Sequence, residues 1–300
     1  MQTRSLHIEK LLPWLEQQLL IQKLHNPLGY VLLFGLALFV AGVFTFLGLK
    51  VGMLMVGLIV GVPVLLLCFV NLEFGLFFTV SFALFVEFMK KFTGFPVGTI
   101  LDGLLLILFS SLILRAFRER SLKFASHPIS FFILLWIYYN LMQAFNPIAA
   151  SRMAWIYAVR SLATWTLLYF VACYVFSSLQ SVKRAWILVI GLSLLGALYG
   201  FKQEFLGFSS WEMAWLYADP LRFRLIFTWS RLRVFSFYSD PTSFGILMAT
   251  VGMFCMVLAT HKFDWWKRIA LVLAALLMFL SMTYAGSRTP FVMIPVGVLF

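Results

Sequence analysis

Apolar runs of about twenty residues recur from residue 28 almost to the end of the chain, and they decide most of what it can fold into. About 30 Å of hydrocarbon needs about twenty helical residues at 1.5 Å each. Spans are expected at about 28–48, 51–70, 72–89, 98–117, 128–145, 154–177, 184–201, 241–260 and 267–285, with a tenth opening at 290. Short strands of alternating polarity, which an outer-membrane barrel requires, are missing from the pattern. The fold class is therefore an all-α, polytopic membrane protein with about ten transmembrane helices over residues 27–300. At 63% hydrophobic and 11% charged, the chain has more apolar side chains than a soluble core can use.

Residues 1–26 read differently. Leu11, Leu12, Trp14, Leu15, Leu19, Leu20 and Leu24 recur at helical spacing among Glu9, Lys10, Glu16 and Lys23. That pattern predicts an amphipathic helix over 5–24 lying on the cytoplasmic membrane surface. No cleavable signal peptide is visible, so the first span would direct insertion. The last run, Pro295 to Phe300, falls short of membrane length, and the sequence reads as a piece of a longer chain.

A net charge of +12 would suggest nucleic acid for a soluble protein. Here the basic residues flank spans and set orientation, and no nucleic-acid partner is expected. With the amino terminus in the cytoplasm, the inner side collects Arg4, Lys10 and Lys23, then Arg115, Arg118, Arg120 and Lys123, then Lys183 and Arg184, then Lys262, Lys267 and Arg268. The short outer turns carry only Lys50, Lys90, Lys91 and Arg152. Cys68, Cys173 and Cys255 all fall in apolar runs, which predicts neither a disulfide nor a metal cluster.

The long connection at about 202–239 is then extracytoplasmic, and it is rich in arginine: Arg222, Arg224, Arg231 and Arg233. The apolar run from Ile246 to Ala259, a polar turn and a second run ending at Tyr284 form a helical hairpin. Such a hairpin returns to the side it left. Arg231, Arg233 and Arg288 should therefore lie near one another at one membrane face, with Arg160, about two turns into the sixth span, a weaker member. Guanidinium groups match phosphate oxygens and stay charged, so the cluster points to a phosphate site. The competing reading pairs these arginines with Glu204, Glu212, Asp219 and Asp240, or lets them snorkel to headgroups. Asp240-Pro241 reads as a helix start, whose free amides add to a positive site.

Other polar residues read as structural. Glu87 is one turn from Lys90 and Lys91, which suits a local ion pair, and Asp102 is shallow enough to meet water. Trp211, Trp215, Tyr217, Trp229 and Tyr238 read as an interfacial belt. Gly57-x-x-x-Gly61 and Gly196-x-x-x-Gly200 allow close helix packing. His7, His25, His127 and His261 all fall on the cytoplasmic side in this topology, so none can act as base at the arginine cluster.

The stretch Ser230-Arg231 to Ser239-Asp240-Pro241-Thr242-Ser243-Phe244-Gly245, followed by two spans and Gly286-Ser287-Arg288, resembles the core of the O-antigen ligase and O-antigen polymerase family. The resemblance covers about residues 230–300. It implies a metal-independent glycosyltransferase of the bacterial inner membrane, with no cofactor. Such an enzyme moves a glycan from undecaprenyl pyrophosphate to an acceptor glycolipid or glycan at the periplasmic face. Arg231 or Arg233, with Arg288 and more weakly Arg160, fit the family's pyrophosphate-binding arginines. The catalytic residue stays unknown; the resemblance implies a histidine, expected beyond residue 300. Two rival readings remain: a transporter or flippase for an anionic lipid or solute, and an anchoring subunit.

Overall fold

A computed structural model describes residues 27–93, 97–146, 151–228 and 230–299. The surface helix expected over 5–24 lies outside the described residues, as does Trp229. The chain divides into two compact units, residues 1–75 and 76–300. In the first, α1 (Pro27–Val70) is interrupted at Gly48, whose φ of 83° and ψ of 168° are not helical. Only glycine takes that conformation readily. The expected turn at Lys50 is thus realised as a glycine break two residues earlier.

Eleven helices are described in all: α1, α2 (Leu72–Thr93), α3 (Val97–Glu119), α4 (Pro128–Met142), α5 (Arg152–Val175), α6 (Leu179–Phe201), α7 (Ser210–Tyr217), α8 (Pro220–Ile226), α9 (Pro241–Thr260), α10 (Trp265–Tyr284) and α11 (Arg288–Leu299). Among the described residues, six helical stretches are long and apolar enough to cross a membrane: Leu72–Lys91, Val97–Glu119, Pro128–Phe145, Leu179–Leu206, Pro241–Thr260 and Trp265–Tyr284. The chain is an all-α membrane protein. The remaining expected spans correspond, among the described residues, to shorter apolar stretches: Ala37–Phe46, Met55–Val70, Thr166–Val175 and Arg288–Leu299.

Local chemistry explains the ends. Asn71 accepts a hydrogen bond from the Phe74 amide (3.1 Å), and Ser178 accepts one from the Ser181 amide (3.1 Å). The Ser178 cap corrects one expectation. The stretch left between the expected spans 154–177 and 184–201 is mostly not a connector; from Leu179 it forms the first turns of α6, because Ser178 supplies the start signal and no breaker follows.

The core of the second unit is the α9–α10 hairpin, against which α6 and α11 pack. Lipid tails are as apolar as leucine, so helix association depends on close fit, and small residues provide it. Gly252 of α9 admits Phe279 of α10; a Cβ there would stand 2.7 Å from the ring. Gly245 similarly admits Pro290 of α11, at 2.7 Å from such a Cβ. On α6, Gly196 and Gly200 do allow close packing, but the groups they receive are Phe237 and Tyr238 from the loop, Val234, and Phe244 of α9. Gly57 and Gly61 face open space among the described residues, so their spacing serves no packing there.

Candidate functional site

Residues 202–240 fold as a small structured cap over the ends of α2, α6 and α9. A π turn, Lys202–Leu206, prolongs α6 and ends at Gly207, whose φ is +82°. The short helices α7 and α8 follow. Asp219 caps α8, accepting from the Leu221 amide at 2.9 Å, with Pro220 in the first helical position. A two-stranded ribbon, β1 (Phe227–Thr228) and β2 (Arg231–Leu232), pairs Phe227 with Leu232 and Thr228 with Arg231. Leu216, Ile226 and Phe235 form the cap's own buried centre.

A polar network holds this cap to α6. Gln203 is 2% exposed and Glu212 is 1% exposed. The Gln203 amide nitrogen donates to Glu212 Oε1 (2.6 Å) and to the Ser236 carbonyl (3.2 Å). Its oxygen accepts from the amides of Ser236 (2.7 Å) and Phe235 (3.3 Å). Glu212 also accepts from the Ser209 amide (2.6 Å), the Tyr199 hydroxyl (3.1 Å) and Lys202 Nζ (3.3 Å). A buried carboxylate is tolerated when it is paired and fully hydrogen-bonded, and this one is. Ser236 has a φ of +54°, unusual for a side-chain-bearing residue. Its amide bond to Gln203 and its hydroxyl bond to the Gly196 carbonyl (2.7 Å) hold it there.

Lys91, at the end of α2, is buried at 8% exposure. Its ammonium lies 4.1 Å from the centre of the Phe235 ring and 4.8 Å from that of Trp215. It donates to the Tyr238 carbonyl at 2.8 Å. Arg222 lies over the same Trp215 ring, 4.1 Å from its centre. These contacts revise the interfacial belt. Trp215 and Tyr238 are packing elements, drawn inward because the cap folds onto α2 and α6. Tyr217 does stay exposed, at 63%.

The arginines of the anticipated cluster divide by role. Arg233 donates from Nε to the Ala285 carbonyl (2.8 Å), from Nη2 to Ser287 Oγ (2.9 Å) and from Nη1 to the Leu225 carbonyl (3.4 Å). Ser287 Oγ donates onward to Thr242 Oγ1 (2.9 Å), and the Val234 amide donates to the Tyr284 carbonyl (3.1 Å). One guanidinium thus ties the cap to the turn between α10 and α11 and, through Ser287, to the start of α9. Burial pulls its pKa below the ordinary arginine value, and nearby Asp240 opposes that shift. Gly286, in the same turn, has a φ of +59° and lies against the Arg233 side chain.

Arg231 is half exposed; it donates to the Tyr284 carbonyl (3.3 Å) and pairs with Glu204 at 3.7 Å. Arg288 is the first residue of α11 and is exposed. Among the described residues nothing hydrogen-bonds its guanidinium. Arg231 and Arg233 therefore both rest on the Tyr284–Ser287 turn, immediately before Arg288.

Asp240 caps α9. Its Oδ1 accepts from the Thr242 (2.8 Å) and Ser243 (2.9 Å) amides, and its Oδ2 from the hydroxyls of Ser239 (2.8 Å) and Ser243 (2.6 Å). Burial raises its pKa, but these four donors outweigh it and hold the carboxyl below the usual range.

Arg160 is placed by different contacts. Its Nη2 meets Asp102 Oδ2 at 2.5 Å, joining α5 to α3. The same Nη2 and Lys90 Nζ lie 3.5 and 3.9 Å from a Cβ built on Gly98, and Lys90 pairs with Glu87 at 2.6 Å. The local Glu87 pair is as the sequence suggested. Asp102 has a cationic partner that its neighbours in sequence did not reveal.

Sequence reasoning missed Gln203, the buried state of Lys91, and Ser236. One signal was available: Ser209-x-x-Glu212 has the spacing of a capping box, and it starts α7. Among the described residues no three His, Cys, Asp or Glu side chains gather as a metal-holding group. No family model, curated protein or solved structure matches this chain.

Proposed function

We propose that this chain transfers or polymerises a glycan carried on undecaprenyl pyrophosphate, at the periplasmic face of a bacterial inner membrane, with its amino terminus in the cytoplasm. The observation that carries the reading is the docking of Arg231 and Arg233 onto the Tyr284–Ser287 turn, one residue before Arg288. Segments more than fifty residues apart in sequence deliver three arginines to one end of one helical hairpin. The same residues carry the resemblance to O-antigen ligases and polymerases.

In this reading the arginines have unequal work. Arg233 spends its donors on carbonyls and Ser287, so it positions the turn. Arg231 and Arg288 bind the pyrophosphate. The acceptor hydroxyl attacks the anomeric carbon, the bond from that carbon to the pyrophosphate oxygen breaks, the electron pair leaves with the pyrophosphate, and the hydroxyl proton passes to solvent. The two guanidiniums stabilise that developing charge. Glu212, Asp219 and Asp240 are occupied as network and cap residues, so none is assigned the acceptor proton.

The test is glycan transfer in proteoliposomes supplied with carrier-linked glycan and acceptor. Arg231→Ala and Arg288→Ala should each lower transfer at least tenfold, as loss of one charged hydrogen bond does. Lysine at either position should also impair it, since the planar fork is lost. Full transfer with both arginines replaced by alanine discards the reading.

A further inference from the structure

The opposite end of the α9–α10 hairpin carries a second feature that the transferase reading does not use. The connecting turn, His261 to Asp264, leads into two adjacent tryptophans, Trp265 and Trp266, which are 58% and 67% exposed. An open groove of about 400 Å³ lies beside them, lined by Ala259, Trp265, Arg268, Ile269, Val272 and Leu273. Its lining is apolar apart from Arg268. Lys262, Lys267 and Arg268 stand within seven residues, against the single carboxylate of Asp264.

The charges divide. Lys267 pairs with Asp264 at 2.5 Å. That carboxylate makes no side-chain cap bond to the first-turn amides of α10. Arg268 donates from Nε to the Ala259 carbonyl at 3.0 Å, which covers a carbonyl at the end of α9 and fixes the side chain at the mouth. Among the described residues its two terminal nitrogens have no hydrogen-bond partner. Lys262 is exposed in the turn that joins α9 to α10.

We infer that this groove is a binding site for one anionic phospholipid. The headgroup phosphate lies on Arg268 and Lys262, the indole of Trp265 sits at headgroup depth, and an acyl chain runs along Ile269, Val272 and Leu273. The charge excess names the occupant: a zwitterionic lipid brings its own cation to the mouth, and a free phosphate leaves the apolar floor uncovered. The depth is consistent, since tryptophan favours the membrane interface and the groove descends from it along a membrane-length helix. The site is independent of the arginine cluster and of any transfer reaction.

The experiment measures tryptophan quenching in nanodiscs containing brominated phosphatidylglycerol or brominated phosphatidylcholine. Subtracting the signal of Trp265→Phe isolates the groove. Phosphatidylglycerol should quench that difference signal at several-fold lower mole fraction than phosphatidylcholine. Lys262→Gln, and separately Arg268→Gln, should each reduce the preference by about fivefold, the value of one basic residue at an anionic surface. Lys262 is exposed, so its variant reads headgroup binding with little effect on folding. Equal quenching by the two lipids in the wild-type chain, or an unchanged preference in both variants, overturns the inference.

Discussion

Gln203→Leu should release the cap over residues 202–240 while leaving the helical bundle assembled. The size of the effect follows from what Gln203 holds. Its oxygen is the acceptor for the buried Ser236 amide, at 2.7 Å. Leaving that amide unsatisfied costs about 1–3 kcal/mol. Its nitrogen is one of the donors to the buried Glu212 carboxylate, at 2.6 Å, and a hydrogen bond to a charged group contributes about 1.5–3 kcal/mol. Together these make about 2.5–6 kcal/mol, before relaxation. Domains are stable by about 5–15 kcal/mol in total, so the cap should open locally at temperatures where α9 and α10 remain intact. Hydrogen exchange in detergent or nanodiscs reads this directly. Amides of residues 233–238 should exchange about a hundredfold faster in the variant, while amides in the middle of α9 are unchanged. Gln203→Glu separates the two halves of the effect. It keeps an acceptor for the Ser236 amide but turns a donor into a second carboxylate against Glu212, so the α7 side should loosen more than the Ser236 side. Exchange at residues 233–238 within a factor of two of wild type in Gln203→Leu would refute the reasoning.

Three further outcomes are expected. Asp240→Ala removes the cap of α9 and should cost about 1 kcal/mol in a thermal melt, with Asp240→Asn retaining most of it. Because folding holds the Asp240 carboxyl below its ordinary value, its contribution should be complete above about pH 4 and be lost as pH falls toward the folded-state pKa. A cap contribution that instead vanished on raising the pH would contradict the assignment. Asp102→Asn and Arg160→Gln should each destabilise and should couple in a double-mutant cycle by about 1 kcal/mol, the upper end for a partly exposed pair; additive effects would show that the 2.5 Å contact contributes nothing. Gly286→Ala meets only ordinary contacts with Arg233, so its cost should come from the left-handed backbone, about 1–2 kcal/mol, with Gly286→Asn milder; equal stability of all three proteins in a thermal melt would remove the strain argument.

What the sequence disclosed depended on range. Span positions follow from runs of apolar residues, and the return of the α9–α10 hairpin follows from two such runs joined by a short turn. That logic placed Arg288 beside the Arg231 segment, and the Val234 to Tyr284 hydrogen bond is its structural expression. Asp240-Pro241 and Glu87 with Lys90 were legible because a cap and an ion pair one turn apart are local in sequence. Asp102 with Arg160 was not, since the two lie on different helices with nothing periodic linking them. Nor was the burial of Lys91, which depends on rings supplied by residues 215 and 235. Gln203 is a polar residue in what reads as a polar connection, and only the fold reveals that it satisfies four groups at once. Arg233 shows the same limit from the other side: a guanidinium that suggests an anion site in sequence is spent largely on carbonyl oxygens in space.

The central claim is that Arg231 and Arg288 share one diphosphate at the end of this hairpin, and direct binding of undecaprenyl pyrophosphate to the purified chain in nanodiscs tests it. The account predicts about a tenfold to hundredfold weaker affinity for Arg231→Ala and for Arg288→Ala, each losing a charged hydrogen bond. Undiminished affinity when both are replaced would contradict it.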